Sequence, residues 1–195
     1  MEIIKFKKKD FKKILERLTK EIKKGKVLVL PTDTLYGLIA DATNEKAVKR
    51  VFRIKKRPLK KPLPIFVKDI EMAKKLAKID KKRERFLSLV WPGKITVVLK
   101  RRAKKIYGVD QKTIGLRIPK YFLIEKLLKQ TNRPLTGSSA NLSGNPPTTK
   151  IKEVIKQFKN QKTNPDLILD AGNLPKSKPS VVLDFTKEEI KILRV

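Results

Sequence analysis

The segment KVLVLPTDTLYGL, from Lys26 to Leu38, joins an unbroken apolar run to a small, hydroxyl-rich island. Val27 to Leu30, bounded by Gly25 and Pro31, has the pattern of a buried strand. Upstream, Phe11, Ile14, Leu15, Leu18 and Ile22 recur at helical spacing, and Gly25 is placed to end that helix. The island PTDTLYGL is therefore a loop that leaves a strand, so the chain opens with a helix, a strand and a polar exit.

The alternation continues downstream. Asn44 is an N-cap for a helix with Ala47, Val48, Val51 and Phe52 on one stripe, and Pro58 forbids that helix to run far past Lys55. Pro62 to Val67 reads as a strand, and Asp69 and Asp80 as caps of two short helices. WPGKITVVLK gives a turn and a strand, TIGLRIP a strand, YFLIEKLLKQ a helix, and RPLTGSS a short strand. A helix over Ile151 to Phe158 and strands at DLILDAG, SVVLDF and KILRV complete the chain. No repeat or linker divides it, so the expectation is one α/β domain over residues 1–195, a twisted mixed sheet flanked by helices.

Composition narrows the chemistry. The chain has no Cys and no His, which removes thiolate catalysis, Cys-bound zinc and the commonest general base. With 39% hydrophobic residues it has the makings of a core despite a formal charge of +31. The basic runs KFKKKDFKK, RIKKRPLKK and KRRAKK are dispersed along the chain. They suit a polyanionic partner such as nucleic acid or a nucleotide, or equally lysines on solvated faces. The charged N-terminus lacks an apolar signal core and no run reaches membrane-spanning length, so the expected location is the cytoplasm, away from membranes.

A second polar island, TGSSANLSG from Thr136 to Gly144, also leaves a strand. Strand-exit loops with small hydroxyl residues let backbone amides approach an anion, although Ser, Asn and Gly also serve simple turns. Between the islands, the prolines of KKRPLKKPLP stiffen a segment carrying Lys55, Arg57 and Lys61, a rigid presentation suited to a triphosphate. Neither a Walker P-loop nor a dinucleotide-binding glycine pattern is present.

Taken in order, PTDTLYGL, the Lys-x-Arg of KKRPLKKPLPIFV, WPGKITVVL, GLRIP, the Ser-x-Asn of GSSANLSG, LDAG, PSVVLDF and ILRV resemble the YrdC-like (TsaC) threonylcarbamoyl-adenylate synthases. The resemblance runs from about Lys26 to Arg194 and implies a YrdC/RibB-type α/β fold in its minimal, single-domain form. It implies that ATP, L-threonine and bicarbonate give L-threonylcarbamoyl-AMP and pyrophosphate. A downstream transferase would then use the adenylate to modify the adenosine beside a tRNA anticodon.

By that correspondence Lys55, Arg57, Lys61, Ser139, Asn141 and Arg194 would hold ATP, and Thr34, Arg117 and Ser180 would hold threonine. Mg²⁺ would come with the nucleotide, with no protein cage of its own. No general base is assigned, because a carbamate is already an anionic nucleophile; Lys55 and Arg57 would position and stabilise charge. The sequence departs from the family where Phe66 replaces a frequent His, Lys61 an occasional Asn, and Val181 a usual Thr. NPPTT replaces a Ser-Pro-Thr pattern, leaving Thr148 and Thr149 as candidates there. Competing readings are a YrdC-fold RNA- or nucleotide-binding protein without synthase activity and a HypF-type carbamoyl-transfer module.

Overall fold

In the computed structural model, which covers residues 1–195, the apolar run of the first motif becomes strand β2 (Leu28–Leu30), buried along its length. Its side chains divide by parity, as the pleat requires. Val27 and Val29 face a core shared with α2 (Glu45–Lys55) and α6 (Ile151–Lys159), through residues such as Val51 and Phe158. Leu28 and Leu30 face the opposite core, with Ile14, Leu18 and Ile22 of α1 (Phe11–Lys23) and Leu127 and Leu128 of α5 (Phe122–Thr131). Helices on both faces explain why the run is apolar at every position.

β2 belongs to a five-stranded sheet ordered β1-β9-β2-β3-β8, made with β1 (Glu2–Lys5), β3 (Gly37–Ile39), β8 (Ser138–Ser139) and β9 (Leu167–Asp170). A six-stranded sheet is ordered β11-β10-β5-β6-β4-β7. Its strands are β4 (Ile65–Phe66), β5 (Ile95–Lys100), β6 (Thr113–Arg117), β7 (Leu135–Thr136), β10 (Val181–Asp184) and β11 (Lys191–Arg194). Both sheets mix parallel and antiparallel pairs. The α/β class is as expected, but the strands fall into two sheets where the sequence suggested one.

Local differences have local causes. The strand expected over Pro62 to Val67 shrinks to Ile65–Phe66, since Pro62 and Pro64 have no N–H to give a ladder. β1 and β3 had not been expected as strands. The helix caps are as expected: Asn44, Asp69 and Asp80 accept from the backbone N–H of Ala47, Met72 and Arg83, three residues on.

In the second sheet, Val97, Leu99, Ile114 and Leu116 face a core under α3 (Ile70–Leu76) and α4 (Lys81–Val90). The alternate residues Thr96, Val98 and Gly115 have no helix over them and line an open cavity. The sheets meet where β7 passes into β8, with Gly137 as the residue between them. A Cβ at Gly137 would lie 2.3 Å from Phe66 Cε1 on β4, so only glycine lets the chain cross from one sheet to the other here. Gly137→Ala should therefore lower unfolding free energy by about 1–3 kcal/mol, the scale of core overpacking. Denaturant titration measures this; wild-type stability would remove Gly137's steric role.

Candidate active site between the sheets

The divergence of the two sheets leaves a cleft of about 260 Å³. The first island enters it through Thr34, the stiff proline segment through Arg57, β6 through Arg117, and the second island through Ser139 and Asn141. Ser180 and Arg194 close it from the β10–β11 side. Seven of the nine residues assigned by resemblance thus share one cavity. Lys61 instead lines a neighbouring cavity, which shares Arg57, Pro64 and Arg194 with the first.

Lys55 lies beneath the wall. The last residue of α2, it is 3% exposed, and its Nζ donates to Ser139 O at 2.6 Å, Asn141 O at 2.9 Å and Asn141 Oδ1 at 2.8 Å. Its own carbonyl accepts from Ser143 N at 2.7 Å. Lys55 therefore pins the second island from behind. Burial, reinforced by the charge of Arg57, pushes its pKa from 10.5 down to about 7.

Asn141 completes the pin. Its amide nitrogen donates to Leu142 O and Asn145 O, and its Oδ1 accepts from Ser139 Oγ at 2.7 Å. Its polar atoms shape the loop.

Three guanidinium groups face the cleft, and none of the lining residues is acidic. Arg57 is held by its own loop, Nε donating to Lys61 O at 2.8 Å and one terminal nitrogen to Pro62 O at 3.0 Å. Arg194 donates to Ser180 O at 2.7 Å and to Ser180 Oγ at 3.2 Å. Burial holds the pKa of both below the usual arginine range, with Arg194 adding to the effect on Arg57. Arg117 is almost fully enclosed and pairs with Asp33 at 2.6 Å.

The hydroxyls are grouped as well. Thr34 Oγ1 lies 3.2 Å from Thr32 Oγ1 and 3.5 Å from an Arg117 nitrogen, while Ser180 Oγ lies 2.9 Å from Thr96 Oγ1.

Sequence reasoning gave no role to Asp33 or Tyr36, though both stand in the first island. The Tyr36 hydroxyl donates to Gly172 O at 2.6 Å and accepts from Ala171 N at 3.1 Å, tying the island to LDAG. Burial pushes its pKa to about 12. Phe66 lies at the cleft with its ring 5.7 Å from the Arg117 guanidinium carbon. Thr148 instead bonds Glu153 near the start of α6, and the carbonyl of Thr149 accepts from Leu174 N. Neither lines the cleft. Val181 sits in β10 opposite Ile95.

The family model described as "Telomere recombination", covering Sua5, YciO and YrdC, matches residues 20–195. The chain belongs to the Sua5/YciO/YrdC family. Within it, a Methanocaldococcus jannaschii protein provisionally named threonylcarbamoyl-AMP synthase is 37% identical over 94% of this chain and 86% of its own length. The threonylcarbamoyl-AMP synthase of Pyrococcus abyssi is 34% identical over 89% of this chain, which spans 51% of that longer protein. The crystal structure of P. abyssi Sua5 complexed with L-threonine superimposes with a TM-score of 0.86 at 31% identity, over 99% of this chain and 56% of that one.

Proposed function

We propose that this chain is an L-threonylcarbamoyladenylate synthase, converting ATP, L-threonine and bicarbonate to L-threonylcarbamoyl-AMP and pyrophosphate. The observation that carries the reading is the cleft itself. A nearly enclosed Arg117 beside the Thr34 hydroxyl suits an amino acid, and two further guanidinium groups suit phosphates. The names of the similar proteins point the same way.

The chemistry asks little beyond placement. Bicarbonate takes up a proton and loses water to give carbon dioxide. Threonine's amine, having lost one proton from its ammonium form, bonds to that carbon and releases a second proton to solvent. An oxygen of the resulting carbamate attacks the α-phosphorus, and the bond to the pyrophosphate oxygen breaks. Arg117 would hold threonine's carboxylate, with Thr34 and Ser180 at its hydroxyl. Arg57 and Arg194 would stabilise the charge that develops on the phosphates, with Ser139 facing them and Lys55 and Asn141 shaping the loop. Lys61 would reach the nucleotide from the adjoining cavity. No three His, Cys, Asp or Glu side chains gather as a metal site, and the Asp33 carboxylate already serves Arg117 and Lys120 N. Mg²⁺ would ride on the phosphates, as it does for most nucleotides, and neutralise the leaving pyrophosphate.

The product would go to a separate transferase acting on tRNA. No helix is long and apolar enough to cross a membrane. The use of ATP and the supply of a tRNA-modifying step are what lead us to place the reaction in the cytoplasm.

The test is to incubate the protein with ATP, labelled bicarbonate and threonine, and to look for pyrophosphate and labelled threonylcarbamoyl-AMP. Folded protein that forms neither would favour a binding protein of the same fold.

Lys55 adds a pH signature. Its folded pKa of about 7 lies below its unfolded value of 10.5, so the stability it contributes is present above the unfolded value and lost as pH falls through about 7. Bound phosphates favour the ammonium, so ATP binding between about pH 7 and 8 should take up a fraction of a proton. Calorimetry in buffers of different ionisation enthalpy measures that uptake, and Lys55→Met should reduce it. Equal proton uptake in the variant would exclude Lys55 as its source.

A further inference from the structure

Behind the proposed threonine site lies a carboxylate that the reaction does not use. The Thr32 hydroxyl donates to Leu35 O at 2.6 Å and accepts from the backbone N–H of Thr34 and Leu35, folding the first island into a tight turn. The turn brings Asp33 to Arg117: Oδ1 accepts from an Arg117 terminal nitrogen at 2.6 Å, and Oδ2 accepts from Lys120 N at 3.0 Å. The two side chains are 7% and 3% exposed. Asp33 does not line the cleft, and Arg117 does.

Resting on the synthase reading, we propose that Asp33 is a positioning residue for threonine: it fixes the plane of Arg117 so that the free edge of the guanidinium meets the substrate carboxylate.

The hydrogen bonds support this division of the guanidinium. Nε donates to Gly93 O at 2.8 Å, and one N–H of a terminal nitrogen goes to Asp33. The guanidinium carbon lies over the Phe66 ring. The other terminal nitrogen reaches only Thr34 Oγ1, at 3.5 Å, which leaves the remaining N–H groups for an anion in the cleft. A bidentate bond to a carboxylate depends on the orientation of the fork; Gly93 O anchors the planar guanidinium at one point, and Asp33 supplies the second anchor that fixes its direction. Asp33 also compensates an enclosed cation. Burial draws the Arg117 pKa down, and Asp33 opposes that shift.

Asp33→Asn keeps the shape and one acceptor while removing the charge. Its KM for threonine should rise about tenfold, the scale of one weakened hydrogen bond to a charged group, with KM for ATP nearly unchanged. Inhibition by threoninol, which lacks the carboxylate, should be the same in variant and wild type. Asp33→Glu keeps the carboxylate at longer reach and should raise the threonine KM by a smaller factor, giving a second reading should Asn impair folding.

Calorimetric binding of threonine to the wild type, measured alongside, separates the two levels. A wild type that does not bind threonine overturns the synthase reading and this inference with it. A binding-competent wild type whose Asn and Glu variants bind threonine equally well overturns the inference alone. So do variants whose only change is a lower Tm or an equal shift in both KM values.

Discussion

Arg117→Met should reduce kcat/KM for threonine by about 10² to 10³, the range expected when one partner of an enclosed, hydrogen-bonded charge pair is removed. ATP affinity should change little, because Arg57 and Arg194 reach the cleft from other elements. Part of the loss comes from stranding Asp33, whose carboxylate keeps only Lys120 N as a partner. The double variant Arg117→Met, Asp33→Asn separates the two effects. It should regain thermal stability by removing the stranded charge, yet remain as poor with threonine as Arg117→Met alone. Arg117→Lys should fall between, since an ammonium keeps the charge without the planar fork. Steady-state kinetics with each substrate varied in turn measures all three. A near-normal threonine KM in Arg117→Met would remove Arg117 from the threonine site.

How far the sequence revealed this site depends on the range of the interactions involved. The caps at Asn44, Asp69 and Asp80 were legible because each bonds an amide three residues away. β3 was not legible, because Gly37 to Ile39 forms the end of a polar island and becomes a strand only by pairing with β2 and β8. The second sheet was hidden for the same reason: β7 and β8 read as one short strand until their partners, β4 and β3, are known.

Site membership was more legible than site role. Ordered motifs marked the residues that meet in the cleft, whereas roles depend on burial and on acceptors distant in sequence. Lys55 stands in a basic run and is indistinguishable there from a solvated lysine. Only the oxygens of Ser139 and Asn141 around its Nζ show it to be a pin. Asp33 received no role because nothing local reveals Arg117, 84 residues away in sequence.

The remaining large effect concerns threonine's own hydroxyl. With 2-aminobutyrate, which has a methyl and a hydrogen where threonine has a methyl and a hydroxyl, kcat/KM should fall by about a hundredfold. Sites built to bond a substrate hydroxyl discriminate by as much as about 10⁴ when the analogue leaves enclosed groups with no partner. Here the penalty is smaller because both readers have internal partners: Ser180 Oγ with Thr96 Oγ1 at 2.9 Å, and Thr34 Oγ1 with Thr32 Oγ1 at 3.2 Å. Losing the substrate hydroxyl removes a bond without stranding a group. Serine keeps the hydroxyl and lacks only the methyl, so it should lose about tenfold through reduced packing. Thr34→Val and Ser180→Ala should each narrow the preference for threonine over 2-aminobutyrate, mainly through poorer use of threonine. The ratio of kcat/KM values measures the effect directly. Equal values for threonine and 2-aminobutyrate in the wild type would show that neither hydroxyl reads the substrate, leaving Arg117 alone to recognise the amino acid.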